Sequence, residues 1–213
     1  MKRVQSSNSI FALTALVLLI SFISPLITSN SWFTSKGYNI QCEINIGANI
    51  AIYQNIGGSE NDVTTSINAN NVVNLTFTNS NGESVTMVEP DEQYGLNLLI
   101  KNNESAATTS GLRFKIQFYA CGATNELLNA SILGFTSPTS TAGGFAQSAD
   151  GWVYYQNNSG TTIAFASNTT ATILTHFSIP YADFYAKNLN GNNLKMILTI
   201  ENATTGIKPA SMA

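Results

Sequence analysis

The sequence has few charged side chains. Asp, Glu, Lys and Arg make up 10% of its 213 residues, against about 25% in an average soluble domain. The net charge is −3, and two of the nine basic residues, Lys2 and Arg3, stand at the extreme N-terminus. The rest of the chain has no basic patch that could hold a phosphate backbone, so we expect no nucleic-acid partner.

Catalytic and metal-binding residue types are also scarce. His176 is the single histidine, and a Ser–His–Asp triad would depend on it. Its neighbours Ile173, Thr175 and Phe177 fall on the opposite face of a predicted strand, which favours a half-exposed structural histidine. The acidic segment 89–92 is interpreted as an ordinary turn rather than a Ca²⁺ site. We therefore expect no enzyme, no cofactor and no metal.

The N-terminus has the pattern of an export signal. Lys2 and Arg3 precede an uncharged, mostly apolar run over residues 10–27, and small polar residues follow it. This pattern predicts a signal peptide over residues 1–29, with the mature chain starting near Asn30 outside the cell. The alternative is a retained membrane anchor, because a run of this length nearly spans a bilayer.

The two cysteines, Cys42 and Cys121, both lie in strand-like sequence. In an exported chain, two cysteines most simply form one disulfide, and this is the prediction. The alternative is a pair of buried free thiols. No C-x-x-C pair is present, so neither a zinc site nor a thiol-redox site is expected.

Amide and hydroxyl side chains are abundant, with 26 Asn and 45 Ser plus Thr. They give a polar surface that does not titrate. Six Asn-x-Ser/Thr sequons are candidate N-glycan acceptors on an exported chain. They are Asn74, Asn103, Asn129, Asn157, Asn168 and Asn202.

Short runs of alternating apolar and polar residues recur along the chain, separated by clusters of Gly, Asn, Ser and Pro. About nine or ten strands are predicted, with a short helical turn near 180–188 and a long exposed loop over 137–150. The pattern indicates an all-β fold, an antiparallel β-sandwich or jelly roll with an N-terminal extension. The predicted strands beyond the N-terminal region fall within 73–77, 94–100, 112–119, 126–135, 151–156, 161–166, 170–179 and 193–201.

The segment 38–53, YNIQCEINIGANIAIY, is the longest alternating run. Its even positions up to 52 are apolar, whereas the odd positions up to 49 are polar or Gly, so one face must be buried. A sheet of its own domain could receive that face, with a bend at Gly47 or at Gly57–Gly58. Alternatively, the sheet of a neighbouring copy could receive it by β-strand addition.

The organisation of the chain resembles the subunits of archaeal surface threads, the thin glycosylated filaments of Sulfolobus-like organisms. The resemblance lies in an export signal, a short aromatic arm (SNSWFTSKGYNIQ) and an Asn/Ser/Thr-rich β-domain with scattered sequons. It implies a homopolymer of β-sandwiches joined by N-terminal donor strands, with a donor arm over 30–46 and a β-sandwich over 47–213. The residues implied to fill the acceptor groove are Trp32, Phe33, Tyr38, Ile40, Ile44 and Ile46. Bundling pili related to TasA and camelysin share the donor-strand principle and are close rivals.

Two other functions stay open. A type IV pilin-like subunit would retain the apolar segment as a helical filament core. A monomeric adhesive module would bind carbohydrate through exposed aromatic residues of the segment GWVYYQ (151–156). We interpret that segment as structural instead, with Trp152 and Tyr154 in the core and Val153 and Tyr155 packing a rim.

Overall fold

Two β-sheets packed together form the fold, as the alternating sequence predicts. The computed structural model describes residues 37–48, 50–103, 110–122, 124–135, 137–138, 143–187, 189 and 194–211. The predicted signal peptide and the candidate groove-filling residues Trp32 and Phe33 lie outside the described residues.

The described residues form fifteen strands, one helix and one 3₁₀ turn at Thr64–Ser66. Nine strands have four residues or more, close to the predicted number. In chain order the strands and the helix are β1 (Tyr38–Gly47), β2 (Ile50–Ile56), β3 (Ser59–Asp62), β4 (Val72–Val73), β5 (Phe77–Thr78), β6 (Ser84–Val85), β7 (Met87–Val88), β8 (Tyr94–Asn102), β9 (Gly111–Ala120), β10 (Glu126–Leu127), β11 (Ser131–Leu133), β12 (Gly144–Gln147), β13 (Val153–Gln156), β14 (Thr170–Ser178), α1 (Tyr181–Ala186) and β15 (Leu194–Ala203).

The first sheet has the strand order β12-β13-β9-β15-β1-β4, with β10 paired to β9 and β7 paired to β1. The second has the order β11-β14-β8-β2-β3, with β5 paired to β6 and β8. Within the described strands, β1 and β15 form the single parallel pair; the other pairings are antiparallel. The first and last strands of the domain therefore lie side by side and run in the same direction.

The core lies between the sheets and follows the period-two pattern. In β9, the even-numbered residues from Leu112 to Phe118 are buried, while the odd-numbered residues between them are partly exposed. Aromatic rings join the two sheets, and the Phe118 and Phe177 centroids lie 4.6 Å apart. Burying one such side chain contributes about 1.5–3 kcal/mol, so this alternation stabilises the sandwich strongly.

Three expectations about strands need correction. Residues 161–166 form no regular strand; Thr162 makes an isolated bridge to Gln156. The run 73–77 is broken between β4 and β5, although its alternate residues are buried as predicted. The predicted loop 137–150 contains β12, because Phe145 packs in the core with its ring centroid 5.0 Å from that of Phe114. The helical turn predicted near 180–188 is confirmed as α1.

Strand direction defines two ends of the sandwich. We call the end that carries α1 the helix pole. It includes the start of β1, since Ile40 pairs with Leu194, which pairs with Ala120 at the end of β9. We call the opposite end the hinge pole, because the connection from β1 to β2 lies there. Gly47 pairs with Glu201 at this pole, and Ile50 pairs with Asn102.

Candidate assembly site

Strand β1 occupies a slot in the first sheet between β15 and the two short strands β4 and β7. Eight of its residues, from Ile40 to Gly47, pair with the run from Leu194 to Glu201. On its other edge, Cys42 and Glu43 pair with β4, and Tyr38 and Asn39 pair with β7. The alternating segment 38–53, which we call the N-terminal ribbon, therefore packs in the sandwich of its own chain. This is one of the two arrangements that the sequence leaves open.

The even-numbered residues of β1 face the core, as predicted. Ile44 is 1% exposed, and Tyr38, Ile40 and Ile46 are half-buried against the core. These are the four described members of the set implied to fill an acceptor groove. The structure brings all four together along one face of β1, in a groove that this chain supplies itself.

Polar contacts hold the outer face of β1. Lys195 on β15 forms an ion pair with Glu43, and both side chains are at least four-fifths buried. Asn71 donates its side-chain amide to Asn45 at 3.0 Å, and the Asn71 carbonyl accepts the Ile44 N–H at 2.9 Å. A cleft of about 330 Å³ lies beside these residues, where β1 and β15 approach the hinge pole.

The start of β1 packs against the helix pole. The Tyr38 ring lies 4.6 Å from the ring of Phe184 on α1. A Cβ on Gly37 would come within 3.0 Å of the Met87 Cβ, so this glycine allows close approach to β7. Asp91, from the predicted acidic turn, accepts the N–H of Tyr181 at 2.9 Å and so binds the first residue of α1.

The two cysteines are free thiols in the structure, so the predicted disulfide between them is wrong. Cys42 pairs with Met196, Met196 pairs with Phe118, and Cys121 lies three residues beyond Phe118. Two strand spacings alone separate the cysteines by roughly 10 Å, whereas a disulfide requires Cα atoms within about 7 Å. Burial raises the pKa of the Cys42 thiol from 9.0 to about 12.

Five of the six sequon asparagines are exposed, and Asn157 is half-buried. The exposed Asn129 is nevertheless engaged, because its backbone N–H and its side-chain amide both donate to the buried carboxylate of Asp183. The Asn157 side-chain oxygen accepts the N–H of Ser159 at 3.0 Å and that of Thr161 at 3.1 Å. Asn74, Asn103, Asn168 and Asn202 present their side chains at the surface.

The face assignment of the segment 151–156 was wrong. Val153 and Tyr155 belong to the core cluster, while Trp152 and Tyr154 lie on the outer side of the first sheet. Tyr154 is nevertheless buried there, at 4% exposure. The Arg113 guanidinium stacks 4.3 Å from the Trp152 ring centre and donates to the Tyr154 hydroxyl at 3.2 Å. This cation lies over the ring face that a sugar would use, which argues against a preformed carbohydrate platform.

Other candidate chemistry stays dispersed. In the described part of the chain, no group of three or more His, Cys, Asp and Glu side chains could hold a metal ion. His176 is exposed on the outer face of the second sheet, opposite Gly95. Of the helices in the residues that the structure covers, none is long and apolar enough to cross a membrane.

No protein-family model, curated protein or solved structure matches this chain. Sequence reasoning missed Lys195 and Asn71, the two polar partners of β1. Their signal was weak, because Lys195 is one basic residue in the last predicted strand and Asn71 lies in an Asn-rich segment.

Proposed function

We propose that the chain is a structural subunit of an extracellular filament in which each copy donates its N-terminal strand to a neighbouring copy, as in donor-strand complementation. The observation that carries this proposal is how β1 is attached. It joins the rest of the described domain only through the connection to β2, and it lies parallel to the C-terminal strand β15. Its slot is built by residues remote in sequence, so β1 of an identical copy would find the same contacts there.

The sequence of the N-terminal ribbon would allow β1 to leave its position in the first sheet. Its apolar alternation continues through the connection, from Tyr38 in β1 to Ile52 in β2. Straightening the connection between β1 and β2 would join them into one continuous strand without changing which residues face inward. Exchange would then conserve the buried contacts, and protein concentration would decide between the closed and the shared states.

The surface composition supports a location outside the cell. The outer polar residues are mainly amides and hydroxyls, and the sequon asparagines Asn74, Asn103, Asn168 and Asn202 are exposed. Such a surface suits an N-glycosylated polymer that takes part in adhesion or cell contact. The homopolymer itself is the partner that the proposal requires, with N-glycans as covalent additions.

A comparison of two chains tests the proposal. One begins at Asn30, and the other begins at Gly47 and so lacks β1 up to its last residue. Electron microscopy and light scattering should show fibres from the longer chain. The shorter chain should give soluble, less stable monomers that regain stability when a peptide spanning residues 30–46 is added. If both chains are monomers of equal stability, the proposal fails.

A further inference from the structure

The outer face of the second sheet carries a group of partly exposed apolar side chains. Leu174 on β14 is 47% exposed and Leu133 on β11 is 58% exposed. Both point outward, because Leu133 pairs with the exposed His176, which lies two residues from Leu174 on the same strand. Leu99 on β8 and Tyr53 on β2 pair with each other and extend this surface as half-buried side chains. We call Leu133, Leu174, Leu99 and Tyr53 the outer patch.

An amide lies within the outer patch. Asn97 on β8 pairs with Leu174 and is two residues from Leu99. Within the residues that the structure describes, the side-chain Oδ1 of Asn97 is buried and accepts no hydrogen bond. Leaving a buried acceptor unpaired is unfavourable, so a donor brought by a binding partner would stabilise a complex here. The χ2 torsion of asparagine is soft, so the amide can turn to meet such a donor.

The outward-facing residues of β8 are complementary to themselves about Asn97. Gly95 lies two residues before Asn97 and Leu99 lies two residues after it. A Cβ on Gly95 would lie 3.6 Å from the His176 ring and 3.7 Å from the Thr78 Cβ. Because Gly95 has no side chain, it leaves a gap between these two neighbours. The same strand therefore offers a leucine on one side of Asn97 and a gap on the other.

Charged residues follow the same symmetry. Lys101 stands four residues after Asn97, whereas Gln93 stands four residues before it, directly after the exposed Glu92. Lys101 already forms an ion pair with Glu60 of its own chain. If an identical β8 is laid over this strand in the antiparallel direction, Lys101 comes next to Glu92 of the copy. Opposite charges then meet at both ends of the row, which favours this register.

We infer that the outer patch is a self-association surface, on which a second copy of the chain packs face to face across a two-fold axis at Asn97 and Leu174. The axis lies between the two sheets, perpendicular to β8. Residues at equal distances from Asn97 then face one another, as an isologous contact requires. Leu99 of each copy enters the gap at Gly95 of the other, and Leu174 packs on Leu174.

The two Asn97 amides meet on the axis in this arrangement. Packed sheets lie about 10 Å apart, a separation that two facing asparagine side chains can bridge. An amide carries both donors and an acceptor, so each Asn97 can donate to the other and accept from it. A second copy thus supplies the donor that Asn97 Oδ1 lacks. This complementarity is why the occupant is the chain itself rather than an unrelated protein.

This contact goes beyond the proposed function and does not depend on strand donation. The outer patch belongs to the second sheet, whereas β1 lies in the first. Face-to-face packing would join two closed subunits as a dimer. In fibres it would join subunits of two neighbouring fibres side by side.

Cross-linking tests whether Leu174 faces itself. The chain beginning at Asn30, made in bacteria, carries Cys121→Ser to remove the half-buried thiol, together with Leu174→Cys. The control carries Thr170→Cys instead, an exposed position on the same strand and face but four residues from the axis. A short bismaleimide joins the new cysteines, and a denaturing gel dissolves assemblies held only by donated strands. Leu174→Cys should form covalent dimers about tenfold faster or more than Thr170→Cys.

Sedimentation velocity tests the energetics. Leu174→Asp should raise the dimer Kd about tenfold or more, because it places two carboxylates together on the axis. The matched control is Leu127→Asp, which makes the same change at a residue that is 56% exposed on β10 of the first sheet. It should leave the Kd unchanged. Where fibres form, electron micrographs should show paired fibres from Leu127→Asp and single fibres from Leu174→Asp.

Equal cross-linking of Leu174→Cys and Thr170→Cys would overturn the inference, and so would equal Kd values for Leu174→Asp and Leu127→Asp. The outer patch would then be free to bind a different protein. Fibres that form without cross-links at Leu174→Cys would overturn this inference and leave the proposed function intact. Rapid cross-linking at Leu174→Cys without any fibres would support the inference and count against strand donation.

Discussion

Lys195 Nζ lies 2.5 Å from Glu43 Oε1, so an ion pair joins the last strand of the domain to the first. The side chains are 17% and 20% exposed, which makes this the least exposed of the ion pairs among the described residues. Because its partners lie on β1 and β15, the pair fastens the strand that we propose to be exchanged.

Replacing Glu43 with Gln should lower the free energy of unfolding by about 1–2 kcal/mol, because it leaves the Lys195 ammonium partly buried without its counter-charge. Urea denaturation measures the change. The matched control is Glu60→Gln, which removes the partner of Lys101 in a pair that is 31% and 46% exposed; it should cost clearly less, because exposed ion pairs contribute little. Equal losses from the two variants would contradict the role given to the Lys195–Glu43 pair.

Cys42 should make the protein sensitive to alkali. Burial raises the pKa of its thiol from 9.0 in the unfolded chain to about 12 in the folded one. In that interval the unfolded chain releases the thiol proton and the folded chain retains it. The stabilisation from this shift is therefore complete below pH 9.0 and declines as pH rises towards 12.

A Cys42→Val variant should lose stability less steeply between pH 9 and 12 than the wild type does. Urea midpoints measured across this interval give the slope for each protein. Cys121→Ser serves as the control for removing a thiol at a half-buried position. Parallel slopes for wild type and Cys42→Val would show that the Cys42 thiol does not cause the loss of stability at alkaline pH.

Ile44 should contribute more to stability than Ile46, although both belong to the inward face of β1. Ile44 is 1% exposed, whereas Ile46 is half-buried near the hinge pole. Ile44→Ala should cost about 2–4 kcal/mol and Ile46→Ala clearly less, because the cost follows the cavity that is left. Ile44→Ala should also speed Cys42 alkylation, by favouring release of β1. If Ile46→Ala costs as much, the packing described for β1 is incorrect.

Asp183 should stabilise the helix pole through Asn129. It is 8% exposed and accepts both donors of that residue, the backbone N–H and the side-chain amide. Asp183→Ala should lower the free energy of unfolding by about 1–3 kcal/mol, because a backbone donor loses its acceptor. Asp62→Ala, which removes an exposed acceptor for Thr65, should cost less. Thermal denaturation compares the two.

The faces of the N-terminal ribbon could be predicted from the sequence, but its path could not. Period-two alternation determines which residues point inward, and β1 and β2 confirm it. The position of the bend was ambiguous because Gly47 and Gly57–Gly58 both permit one. The structure uses both: the chain changes sheets near Gly47, and Gly57 and Gly58, with φ of 58° and 85°, form the turn between β2 and β3.

The pairing of strands that are remote in sequence could not be predicted from the local alternation of residues. Nothing in the alternation of β1 indicates that β15 is its neighbour, and the disulfide prediction failed for the same reason. The segment GWVYYQ shows a second limit. Both of its alternating sets contain apolar or aromatic residues, so its periodicity could not decide that Tyr155 is inside and Trp152 outside.

The parallel pairing of β1 with β15 has a consequence for a single subunit under tension. β1 starts at the helix pole and β15 ends at the hinge pole, so a force that pulls the two ends of the domain apart acts along both strands in opposite directions. The load then acts in shear on the backbone hydrogen bonds between Ile40–Gly47 and Leu194–Glu201. These bonds bear the load together and do not break one at a time. A closed subunit would resist extension most strongly at the same strand pair that would separate in the assembly we propose.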